Sequence, residues 1–242
     1  QPELLRLVAG IRGIAEVVPS GQTLPPFDMQ CPLLSLPRVF RTRLETVPAT
    51  VPYLPVDPDM VADWDSRLPQ DGMLRVGICW AGAAHLDDVG ARLIDQRRSI
   101  GLDPLAPLGG IGGVHWVSLQ KSPAGGSSPR IAGFPMLDLM DQVSDFADTA
   151  ALMANLDLVI SVDTAVAHLA GALGRPVWML SRYDGCWRWL HGRNDTPWYP
   201  SMRIYRQERP LEWSGVVGQV RRDLLALTSA RDTGREVIRA VG

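Results

Sequence analysis

Cysteine is scarce: the 242 residues hold only three, and Cys31, Cys79 and Cys186 are odd in number and far apart. That usage excludes a disulfide framework and a cysteine-rich zinc site, and it fits a reducing cytoplasm. Long apolar runs are missing as well. None reaches the roughly 18 to 20 residues that cross a bilayer, so no membrane span is expected. Neither sign of charge dominates: 24 Lys and Arg against 26 Asp and Glu give a formal net charge of -2. Such a chain has no field for nonspecific attraction to nucleic acid. Its basic residues are scattered apart from pairs such as Arg97-Arg98 and Arg221-Arg222, so any anion site must be local. The four histidines, His85, His115, His168 and His191, show no paired zinc spacing, and no bound metal is expected. No signal peptide is expected at this opening either. The opening QPELLRLVAGIRG has neither a basic start nor a long apolar stretch, and it reads as the middle of a truncated fold.

What is present is an ordinary globular composition, 46% apolar and 21% charged. Residues 2–18 predict a short helix with Pro2 at its first position, running into a strand AEVVP. Proline then punctuates the chain. ETVPATVPYLPVDPDM reads as an extended connection, which places a domain boundary near residues 50–72. Asp57-Pro58-Asp59 falls in that linker, although it superficially resembles an Asp-x-Asp metal motif. After Gly72 the texture changes. MLRVGICWAG, GVHWVSLQ, LDLVISV and PVWML are short, nearly continuous apolar runs, as expected of parallel strands covered on both faces. Helix-like LDPLAPLGG, DFADTAALMANL and DTAVAHLAGALG lie between them, and MRIYRQ precedes a last helix near residues 212–230. Strands alternating with helices predict a doubly wound α/β domain over about 73–230.

The junction SVDTAVAHLAGALGRP carries the most chemistry. Asp163 is placed to cap the helix that follows, and Gly174 with Pro176 ends it. On a helical wheel Val166, Leu169, Ala170 and Leu173 form one stripe, while Thr164, His168 and Gly171 lie opposite. In an open parallel sheet, ligands bind beyond the carboxyl ends of the strands, where helix N-termini offer free N–H groups. A phosphate there would meet Thr164, nearby amides and His168. The plainer alternative is that Asp163 and Thr164 only cap and that His168 is a surface histidine.

The run SVDTAVAHLAGALGRPVW, with FADTAALMANLDLVIS before it and WRWLHGRNDTPWYPSMRIYRQ after it, resembles the donor-binding half of glycosyltransferase family nine. It is similar in particular to the region that follows tetratricopeptide repeats in bacterial proteins. The resemblance implies a GT-B-like α/β fold, with one complete Rossmann-like, doubly wound parallel-sheet lobe over 73–230. Residues 1–60 would then be the remnant of a truncated N-terminal acceptor lobe and its linker. It also implies a nucleotide-diphosphate sugar as substrate rather than a cofactor, transfer to an unidentified acceptor hydroxyl of a glycan or protein, and tetratricopeptide repeats upstream. By this resemblance Asp163, Thr164, Ala165 and His168 lie at the donor diphosphate. Gly82, Arg97, Arg98 and Ser99, in the loop after the first strand of the lobe, would face the donor phosphates.

Arginine suits that task through its bidentate donors, and glycine permits close approach of a backbone. Lys121, at the end of the strand VHWVSLQ, is a further candidate to neutralise a diphosphate. The acidic Gly-x-Gly-Asp-like segment that supplies a general base in relatives is absent, so the catalytic residues are unknown. That absence keeps a second reading open: a noncatalytic nucleotide-sugar-binding or scaffold module. In YDGCWRWLHGRNDTPWYP, Trp187, Trp189, Trp198 and Tyr199 either stack on a base or sugar or pack against their own domain. Asp145 and Asp148 are expected to serve the turn and cap before TAALMANL, and GGIGG a helix-to-strand turn.

Overall fold

The computed structural model describes residues 1–82, 88–121 and 133–232. Three short helices come first: α1 (Leu5–Ala9), α2 (Leu36–Val39) and α3 (Pro58–Asp65). The sheet-forming part follows as β1 (Leu74–Cys79), α4 (Val89–Arg98), α5 (Ala106–Gly109), β2 (Val114–Ser118) and β3 (Met136–Leu137). It continues with α6 (Phe146–Ala154), β4 (Leu158–Val162), α7 (Ala165–Ala172), β5 (Val177–Ser181), β6 (Met202–Arg206) and α8 (Ser214–Asp232). All six strands are parallel, in the order β3-β2-β1-β4-β5-β6. This is the doubly wound α/β sheet that the alternating apolar runs predict.

Strand residues alternate between two cores, as the period of two requires. Leu158, Ile160 and Val162 of β4 join Trp178, Leu180 and Tyr205 on the face covered by α5 and α8. Val159, Val177 and Met179 face the other way, toward α6 and α7. Because both faces are covered, the strands read as continuous apolar runs instead of alternating ones. β3 is only two residues long and gives no periodic signal.

The first 72 residues depart from expectation in two places. AEVVP is not a strand; residues 14–19 are irregular, with Ile14 exposed. No neighbouring strand offers a ladder there, and a lone strand has no partners for its backbone groups. Asp57-Pro58-Asp59 is a helix start: the Asp57 carboxylate accepts the Asp59 N–H at 2.8 Å, and Pro58 opens α3. Both α1 and α3 pack on α6, burying Leu7, Trp64 and Leu68 in the core shared with α6 and α7. Each such side chain contributes about 1.5–3 kcal/mol. Arg6 reinforces this by pairing with Asp145 at 2.7 Å and Asp148 at 2.8 Å, at the start of α6.

Candidate functional site

β1 and β4 are neighbours, but the chain leaves them in opposite directions. The connection after β1 buries Ile100, Leu105 and Leu108 on one face, while α7 buries Val166, Leu169 and Ala170 on the other. A crevice must open beyond the carboxyl ends of two such strands. It is there: a cleft of about 450 Å³ whose lining includes Cys79, Ala81 and Gly82 after β1, Gln120 and Lys121 after β2, and Thr164, Ala165 and Val166 at the start of α7. Arg98, Met140, Val143, Asp145, Phe146 and the N-terminal residues Gln1 and Glu3 complete its walls.

Two helices begin at this cleft, and they differ. α6 is closed by its own cap: the Asp145 carboxylate accepts the N–H groups of Ala147 at 2.8 Å and Asp148 at 3.2 Å. Burial works against that charge, but Arg6 and the two amides outweigh it and hold Asp145 below the usual carboxylate range. α7 is open. Its N-cap residue is Thr164, not Asp163 as its sequence suggests, and no side chain caps it. Thr164 Oγ1 is instead paired with Ser161 Oγ at 3.1 Å. Among the described residues the Ala165 and Val166 N–H groups meet no acceptor, so their positive ends face the cleft.

The cleft brings together Gly82, Arg98, Lys121, Thr164 and Ala165. Arg98 is held by Asp95 Oδ1 at 3.0 Å and donates to the Asp163 carbonyl at 3.2 Å, which ties the end of α4 to the turn before α7. A Cβ on residue 82 would run into the Asp95 carboxylate and the Arg98 guanidinium, so a larger residue there would displace both side chains. Ser99 acts one step back: its Oγ accepts the Gly82 N–H at 3.0 Å. Lys121 lines the cleft while its ammonium donates to the carbonyls of Met140, at 3.1 Å, and Val143. Arg97 points elsewhere and pairs with Asp184 at 2.5 Å on the surface.

His168 and the Asp163 carboxylate do not line this cleft. The His168 ring stacks on buried Trp189, with centroids 5.1 Å apart, and its Nδ1 pairs with Tyr199 Oη at 3.0 Å. Nε2 lies 3.9 Å from Asp163 Oδ1. Burial depresses the His168 pKa, the Asp163 charge opposes this and Arg188 adds to it, so the imidazole is neutral at pH 7. The polar side of α7 is therefore covered by the loop after β5, because Gly171 leaves room for the Tyr199 ring directly against the helix. Trp189 and Tyr199 pack into their own domain, whereas Trp187 stays 65% exposed.

Sequence reasoning passed over Cys79 and Gln120. Gln120 Oε1 accepts the N–H groups of Trp80 at 3.2 Å and Ala81 at 2.9 Å and so shapes the turn after β1. Burial pushes the Cys79 thiol up, and its Sγ meets the Ala81 carbonyl and Gln120 Oε1. A polar residue just past the end of β2 was the available signal. Among the described residues no group of three or more His, Cys, Asp or Glu is placed to hold a metal ion, and no helix is long and apolar enough to cross a membrane.

The segment that builds both helix starts is recognisable in other proteins. Residues 143–184 match glycosyltransferase family 9 (heptosyltransferase). This family 9 segment spans α6, β4, α7 and β5, and thus both the capped and the open N-terminus. Protein FlbA of Caulobacter vibrioides is 31% identical over 194 residues, covering 74% of this chain and 30% of FlbA. Among solved structures, a family 9 glycosyl transferase from Veillonella parvula is similar at 11% identity and a TM-score of 0.48, over 73% of this chain and 53% of that one. ADP-heptose lps heptosyltransferase II of E. coli is similar at 14% identity and a TM-score of 0.42, over 78% and 57% respectively. The chain thus spans under a third of the curated relative and little more than half of these structures.

Proposed function

We propose that the cleft binds the diphosphate of a nucleotide sugar and that the protein transfers the sugar to an acceptor hydroxyl. Residues 73–230 form the donor lobe in this reading, and residues 1–60 belong to the acceptor side. The observation that carries it is the open start of α7, at the crossover between β1 and β4, inside the family 9 segment. Amides that lack acceptors attract a phosphate, Arg98 adds a guanidinium whose charge Asp95 shares, and Thr164 adds a hydroxyl. The same groups would stabilise the nucleoside diphosphate as it leaves, the electrostatic half of glycosyl transfer.

A general base is the other half. None is assigned, which keeps a noncatalytic nucleotide-sugar-binding module as the second reading. That reading is favoured by Lys121, whose ammonium is engaged by two carbonyls instead of facing the cleft freely. Thermal unfolding with ADP, UDP, GDP and their sugar conjugates at ~1 mM tests the shared step. A ligand at about 100 times its Kd adds ~2.7 kcal/mol, a rise in Tm of about 5–10 °C for a chain this size. A rise with one nucleotide series supports the binding site, and sugar release to an acceptor by the longest protein that contains this chain separates enzyme from binding module. No rise with any of these ligands rejects nucleotide binding and leaves only the scaffold alternative.

A further inference from the structure

The family 9 segment does not include the N-terminal wall of the cleft, where Gln1 and Glu3 lie. That wall is firmly placed. The turn Pro2–Leu4 packs on α6, Leu7 is 4% exposed in the core, and Arg6 clamps Asp145 and Asp148. The two ends of the cleft therefore differ in the groups they leave without partners. Around α7 lie the groups that attract an anion: Arg98, Thr164 and the free amides of Ala165 and Val166. Around the start of α6 lie apolar Met140, Val143 and Phe146, the carboxylates of Asp145 and Glu3, and the Lys121 ammonium, which the Met140 and Val143 carbonyls hold. Asp145 is saturated by Arg6 and the α6 amides. Glu3, among the described residues, has neither an ion pair nor a side-chain hydrogen bond. A carboxylate accepts hydrogen bonds only, and it repels phosphate. The molecule that satisfies both ends has its phosphates at α7 and a group rich in hydroxyl or amino donors at α6.

We propose that Glu3 is a specificity-determining residue at the nucleoside end of the cleft, accepting hydrogen bonds from ribose hydroxyls or a base amino group. This rests on the nucleotide-sugar reading above. The apolar side chains beside it form the surface on which the flat base lies, and the Arg6 clamp fixes the distance between this acceptor and the phosphate end.

Titration calorimetry on the whole chain tests it with three probes: the tightest binder among ADP, UDP and GDP, its 2′,3′-dideoxy analogue, and inorganic pyrophosphate. Glu3→Ala is expected to weaken the nucleotide about 10-fold, the loss typical of a hydrogen bond to a charged group, while pyrophosphate stays within about twofold. Glu3→Gln, which keeps an acceptor but not the charge, falls between Glu3→Ala and the parent chain. If the dideoxy analogue binds the parent chain weakly and ignores Glu3→Ala, the donors are ribose hydroxyls; if it is as sensitive as the nucleotide, they are on the base. Nucleotide affinity unchanged by Glu3→Ala overturns the inference and leaves the nucleotide reading standing. So does a gain in both nucleotide and pyrophosphate affinity, which would put the carboxylate at the phosphates. A parent chain that binds no probe overturns the nucleotide reading and this inference together.

Discussion

Replacing Gly171 with alanine in α7 is expected to destabilise the protein, although alanine is the better helix former. The helix term favours alanine by about 0.8–1.0 kcal/mol. Against it, the new Cβ would lie 2.5 Å from Tyr199 Cγ and 2.7 Å from Cδ1, inside any real contact distance. Tyr199 is 8% exposed and its hydroxyl is bonded to His168, so the ring has nowhere to swing. Overpacking of this kind costs about 1–3 kcal/mol, and loss of the His168–Tyr199 bond about 1 kcal/mol more. The balance is a loss of about 1–3 kcal/mol, measurable as a lower urea midpoint by tryptophan fluorescence. Repeating the change in a Tyr199→Ala background, checked for a folded circular dichroism spectrum, removes the obstacle. There Gly171→Ala should stabilise by up to about 1 kcal/mol. The reasoning is refuted if Gly171→Ala is neutral or stabilising in the parent chain, or equally destabilising in both backgrounds.

Two further tests separate residues that look alike in the sequence. Arg98→Ala should weaken nucleoside diphosphate binding by about 10- to 100-fold, as loss of a charge-assisted bond predicts, whereas Arg97→Ala should change it less than about twofold because its guanidinium pairs with Asp184; calorimetry reads both, and equal effects would refute the placement. The depressed pKa of His168 makes stability pH-dependent. The unfolded state binds this proton first, so stability is complete above the ordinary imidazole value of 6.5 and declines as pH falls below it toward the folded pKa. His168→Asn should flatten the decline of urea midpoints as pH falls below about 6.5, and an unaltered decline would show that another group is responsible.

Much of the fold was legible because strands buried on both faces leave unmistakable apolar runs, and because Gly174 and Pro176 mark where α7 must stop. The open sheet and the end of it that holds the cleft follow from strand–helix alternation alone. The site was legible in part. Thr164, Ala165 and Arg98 line the cleft, since a residue just after a strand or at the return of its connection has little choice of position. Arg97 and Arg98 are adjacent, and which of the two turns inward is settled by Asp95 and Asp184, one within α4 and one far along the chain.

By itself, then, the sequence determined a parallel α/β domain, the resemblance to glycosyltransferase family nine that the match over 143–184 bears out, and a helix start beside a strand end. Tertiary structure decided the rest. It gave α6 a closed cap through Asp145 and left α7 open, because Thr164 turns to Ser161 and Asp163 does not reach back to the amides. It drew His168 away from the cleft, because a loop some 20 to 30 residues later brings Trp189 and Tyr199 against the same helix face. It also carried Glu3 to the cleft, through a core contact at Leu7 and a clamp at Arg6. Local pattern sets which face of a helix is apolar; what covers its other face depends on residues distant in sequence, and those meet only when the chain has folded.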